Sequence, residues 1–161
     1  MAVLLAAYAG VSVAFFVEPT LGAVAHPQAV VVLRGYGGRV TRAFAIARAQ
    51  YTQTVAVSFP PCTSCPAPQP GLRIRCFVPR PPTTQGEARA VARLARIHQW
   101  NRLVVVAGTT QVVRARVYLE HYYAGRVAFS GVDPVGFSSW LYQIAYGQIG
   151  FLKALVCPGG C

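Results

Sequence analysis

Four side chains stand where their chemistry is hard to explain by helix formation alone. Arg39, Arg42 and Arg114 each fall in the opening turns of a segment with helical spacing, and Glu87 closes the sequence Thr84-Gln85-Gly86-Glu87 at the start of another. A helix N-terminus already carries positive potential, so a cation there is disfavoured by about 0.3–1 kcal/mol. Three arginines so placed point to a counter-charge, either a bound anion or the Glu87 carboxylate, although exposed arginines also tolerate a cost of this size. The Thr84 to Glu87 spacing is that of a capping box, in which the Thr hydroxyl and the Glu carboxylate accept from each other's backbone N–H. That gives Glu87 a purely structural reading beside a ligand-binding one.

The remaining candidates are loop residues at strand ends. Gly35, Gly37 and Gly38 follow a short apolar run and precede a helix, so the backbone there can approach a ligand and present free N–H groups. Their spacing lacks the third glycine of a dinucleotide fingerprint. Ser58 ends a second apolar run, and Gly108 and Gln111 follow a third.

Catalytic constellations are scarce. With four acids and three histidines there is no metal-ligand spacing, no paired carboxylates and no Gly-x-Ser-x-Gly elbow. No metal site is expected, no cofactor is indicated, and whether the chain is an enzyme is left open. Cys62 and Cys65 form a CxxC that could be a redox pair, half a zinc site or one end of a disulfide. Zinc needs two more close ligands, and the surrounding prolines prevent the helix that a redox CxxC opens. A bridge from this loop to Cys76 is the better reading in an oxidising compartment.

These residues need a scaffold, and hydrophobic periodicity supplies one. Ala29–Leu33, Thr54–Ser58, Leu72–Val78, Leu103–Ala107 and Arg126–Ser130 read as strands, separated by segments of helical spacing. Leu72–Val78 alternates apolar and basic residues, which places it nearer a sheet edge. Strands alternating with helices predict an α/β, Rossmann-like three-layer sandwich with a mainly parallel sheet of about five strands. Such sheets bind ligands beyond the C-terminal ends of their strands, where the strand order reverses. Arg89, Arg93 and Arg96 share one helix face and read as solvated. The last helix, about Ser138 to Val156, is rich in aromatics that read as packing residues.

The net charge of +11 raises nucleic-acid binding, yet only 12% of residues are charged and the arginines are spread along the chain. With no recognition motif, nucleic acid is a disfavoured partner. Residues 2–17 carry no charge, and a helix of that length spans ~24 Å against the ~30 Å of a hydrocarbon core. Residues 1–22 therefore divide among an N-terminal membrane anchor, a signal-like segment and a buried helix, the anchor being favoured. Residues 27–161 form the α/β domain.

Taken together, the glycine loop with Arg42 beyond it, Ser58 at a strand end, CFVPRPPTTQGEAR and VVVAGTTQVVRAR resemble the YdcF/ElyC/SanA-like family over about Ala29 to Phe129. The resemblance implies a domain tethered by one N-terminal helix, placed outside the cytoplasm with oxidised cysteines, and linked to envelope maintenance. The leading reading is a domain of this kind that binds an anionic ligand, a phosphate-bearing metabolite or lipid-linked precursor, with Arg42, Arg114 and Glu87 central and Gly35, Gly37, Gly38, Arg39, Ser58, Thr84, Gly108 and Gln111 around them. Where the family carries His after its fourth strand this chain has Gln111, which hydrogen-bonds but does not titrate near neutrality. An envelope structural or interaction protein with a vestigial pocket is the alternative.

Overall fold

The computed structural model describes residues 7–8, 10–17, 19, 21–35, 38–59 and 65–157, with Phe137 described for its backbone alone. Five strands, β1 (Ala29–Val32), β2 (Thr54–Ser58), β3 (Arg73–Phe77), β4 (Arg102–Gly108) and β5 (Arg126–Val132), form one sheet in the order β3-β2-β1-β4-β5. Every neighbouring pair is parallel. The chain builds outward from β1 to β3, then returns to β1's other side for β4 and β5. The strand order thus reverses between β1 and β4, the crevice where such sheets hold ligands. Four α-helices follow the strands: α1 (Arg39–Ala49), α2 (Thr84–Ile97), α3 (Val112–Tyr122) and α4 (Phe137–Val156).

β-Branched runs such as Val30-Val31-Val32 and Val104-Val105-Val106 suit a sheet covered on both faces, where alternate side chains enter separate cores. Val30, Val32, Val55, Val57, Val104 and Val106 pack with Ala43 and Ala47 of α1. Ala29, Val31, Leu33, Leu103 and Val105 pack on the opposite face with Val91, Ala95, Val112, Ala115 and Leu119 of α2 and α3, and with Ala154 of α4. The expected α/β sandwich is therefore observed, with β3 at an edge and its arginines outward.

The N-terminal expectation is corrected. No helix among the described residues is long and apolar enough to cross a membrane. The anchor, the single-pass membrane placement and the membrane as partner go with that finding, as does the envelope role built on tethering. The described part of the uncharged run packs on the domain instead. It includes a π-helical segment, Val13–Val17, that turns Phe16 inward to 5% exposure, with its ring edge-on to Phe151 at 6.2 Å. The Tyr8 hydroxyl donates to Gln148 Oε1 at 2.8 Å, and Gln148 Nε2 donates to Ser12 Oγ at 3.0 Å. Further along, Leu21 accepts at its carbonyl from the Phe129 N–H, 2.6 Å, on the outer edge of β5. A run of apolar and small residues serves a packed strap as well as a span, and here the polar partners on α4 decide for the strap.

A disulfide joins Cys65 to Cys76, closing the loop between β2 and β3 onto the edge strand. Cys62 and Gly37 lie outside the described residues.

Candidate functional site

The chemistry gathers at the C-terminal ends of β1, β2 and β4. Ser58 is the last residue of β2, and its Oγ donates to Glu87 Oε1 at 2.6 Å. The Arg34 N–H, just past β1, donates to the same oxygen at 2.6 Å. Glu87 reaches them from the first turn of α2, buried with 5% of its surface exposed. Burial pushes its carboxyl above the usual range. The two hydrogen bonds and the charges of Arg34 and Arg39 oppose that shift without cancelling it.

This arrangement replaces the expected capping box. The N-cap is Thr83, one residue earlier, whose Oγ1 accepts from the Gly86 N–H at 3.2 Å. Thr84 is the first helical residue and takes no part in the site. With the helix end satisfied by Thr83, the Glu87 carboxylate is free to point across the sheet. Gly86 permits this close seating of α2: a Cβ there would overlap the Pro81 carbonyl and meet the Arg80 carbonyl carbon at 3.0 Å.

Arg39 occupies the crevice between β1 and β4. Its Nη1 donates to the carbonyl of Arg34 at 2.6 Å and to Gln111 Oε1 at 3.1 Å, with a longer contact to the Leu33 carbonyl at 3.4 Å. The side chain is 4% exposed, and its Nε has no hydrogen-bond partner among the described residues. Burial pulls its pKa below the usual value, opposed by the Glu87 charge. A guanidinium still stays protonated at neutral pH. Gly35, at φ 155°, and Gly108 both make room for this group: a Cβ on Gly35 would overlap the guanidinium, and one on Gly108 would meet Arg39 Cζ at 3.3 Å. The close approach these glycines allow is to an internal arginine. Gly38 serves as the N-cap residue of α1.

The three helix-start arginines do not converge on one anion. Arg42 donates from Nε to Ser130 Oγ on β5 at 3.2 Å. Arg114 is buried beneath α4, its guanidinium 5.1 Å from the centre of the Tyr146 ring and close against Gly150. Arg114 packs against α4 rather than with Arg39 or Arg42, and its buried Nε, like that of Arg39, has no hydrogen-bond partner among the described residues; the lipid-linked ligand is withdrawn with the tether. Gln111, by contrast, does join the site through Arg39.

Sequence reading missed Arg34, whose contribution is mainly a backbone N–H that no side-chain motif reports. It also missed a second polar pair over β4 and β5, where Thr109 Oγ1 donates to Asp133 Oδ1 at 2.5 Å. Asp133 two residues after Gly131, at the end of a strand in a parallel sheet, was the available signal. Among the described residues no group of three His, Cys, Asp or Glu side chains is placed to hold a metal ion. What the site offers is one buried carboxyl that holds its proton more tightly than usual, one fixed cation with a donor unpartnered among the described residues, and the amide of Gln111. Such a set can orient a polar molecule and exchange a proton with it.

No protein family, no curated protein and no solved structure matches this chain.

Proposed function

We propose that this is a YdcF/ElyC/SanA-like domain that binds a small polar molecule in the β1/β4 crevice, and that Glu87 exchanges a proton with it. The molecule presents an acceptor oxygen to the Arg39 guanidinium and a protonatable group to the Glu87 carboxyl. The observation that carries this reading is the pairing of Glu87 with Ser58 and Arg34 at 2.6 Å beside a buried arginine whose Nε lacks a partner among the described residues. A buried unpaired donor costs about 1–3 kcal/mol, and a ligand atom that fills it recovers part of that. Proteins keep perturbed carboxyls and cations together at strand ends where ligands bind.

A fragment panel of polyols, carboxamides and hydroxy acids, followed by amide-shift NMR on the full chain, tests the reading. Bound fragments are expected to move the amides of Arg34, Arg39, Glu87 and Gln111, and Glu87→Gln is expected to remove the pH dependence of their binding. A panel that leaves those amides unmoved assigns Glu87 a purely structural role and overturns the proposal.

A further inference from the structure

The inner face of α4 is made of small residues. Gly147 lies against the Thr110 carbonyl and the Phe16 ring, Gly150 against Arg114, and Ala154 is fully buried. The outer face is the reverse. Tyr142, Ile149, Leu152 and Val156 are 62–80% exposed, and with exposed Ala145 they recur at intervals of three, four, three and four residues. Leu141, Tyr146 and Leu155 widen the stripe, each more than half exposed. This spacing is the heptad pattern of a helix that packs against another helix. Along the whole of α4 the only charged residue is Lys153. In a chain of net charge +11, a twenty-residue surface helix with one charge is a selective omission.

The area fits an interface. Seven large side chains exposed by half or more leave on the order of 100 Å² each uncovered. That approaches the ~800 Å² per partner of a standard interface and exceeds the ~300–600 Å² patch of an ordinary monomer. We infer that α4 is a homodimer surface, in which the stripe Tyr142, Ala145, Ile149, Leu152 and Val156 packs antiparallel against the same stripe of a second copy. The occupant follows from the pattern: a heptad face needs a helical partner with a matching apolar face, and a second α4 supplies one. Charge sets the orientation. A parallel pair would set the two Lys153 ammonium groups abreast. An antiparallel pair centred on Ile149 separates them by eight residues, about 12 Å along the axis, beyond the ~8 Å screening length of physiological salt. The two-fold axis that results makes the interface self-complementary and closed.

Sedimentation velocity of the full chain over a concentration series tests this. The wild type is expected to sediment as a dimer at micromolar concentration, and Ile149→Glu and Tyr142→Arg, made separately, are each expected to weaken association at least ~100-fold. Both side chains are exposed, so the variants are expected to keep the wild-type circular dichroism and melting profile. Tyr51→Glu, on a side chain 93% exposed just past α1, which packs on the other face of the sheet from α4, is expected to leave association unchanged. A wild-type chain that remains monomeric at ~100 μM, or a dimer that survives both α4 substitutions, overturns the proposal.

Discussion

Glu87 sits between two opposing influences, burial that favours the neutral acid and donors that favour the carboxylate, and burial wins. The sign of its contribution to stability follows. The folded chain holds this proton to higher pH than the unfolded chain does, so the stabilising contribution is complete below the ordinary value of 4.5 and is lost as pH rises from there through the folded pKa. Glu87→Gln keeps an acceptor for Ser58 and Arg34 but cannot ionise. Urea denaturation from pH 4 upward is expected to show wild-type stability falling relative to Glu87→Gln across that window; parallel curves for the two proteins would show that Glu87 does not titrate abnormally. At this scale the sequence was only partly legible. Ser58, Arg39, Glu87 and Gln111 were visible as candidates because strand ends and helix starts are readable from periodicity. Their partners were not, because a shift of one residue in the N-cap, from Thr84 to Thr83, redirects the Glu87 carboxylate from its own helix to the neighbouring strands.

At the scale of elements, α2 is the piece that delivers the carboxyl, and Gly86 decides how closely it can do so. In an exposed helix interior, Gly to Ala stabilises by about 1 kcal/mol through backbone propensity. Here the added Cβ would fall on the Pro81 carbonyl, a backbone atom fixed by the turn in which the Thr83 N–H donates to it at 2.8 Å. The collision outweighs the propensity, so Gly86→Ala is expected to destabilise the fold by about 1–3 kcal/mol, as overpacking does. Thermal or urea unfolding checks it, and a stabilised variant would mean that α2 is seated more loosely than the Glu87 contacts require. The helices and strands themselves were legible nearly to the residue, since Ala, Leu and Arg at helical spacing and Val-rich runs bounded by glycine leave little ambiguity. The N-terminal run was not. Sixteen uncharged residues read alike as a short span and as a strap, and only Tyr8, Ser12 and Phe16 meeting Gln148 and Phe151 distinguish the two.

For the whole molecule, the reversal of strand order between β1 and β4 gathers residues from four separated stretches of chain into one crevice. Periodicity predicts that such a crevice exists. It does not reveal that Arg39 lines the crevice with its own guanidinium, because that depends on tertiary approach past Gly35 and Gly108. The net charge of +11 acts on this site from all sides and favours ionised carboxylates, so a raised Glu87 pKa must come from local burial and must persist in high salt, where the long-range field is screened. With only four acidic side chains in the chain, carboxyl-carbon NMR can follow Glu87 individually. A titration of the intact protein at low and high salt, with and without a bound polar fragment, is the most direct test of the switch-point assignment. The Glu87 midpoint is expected above 4.5 at both salt concentrations, displaced when the fragment binds. A midpoint at or below 4.5, or one that the fragment leaves unmoved, would contradict it.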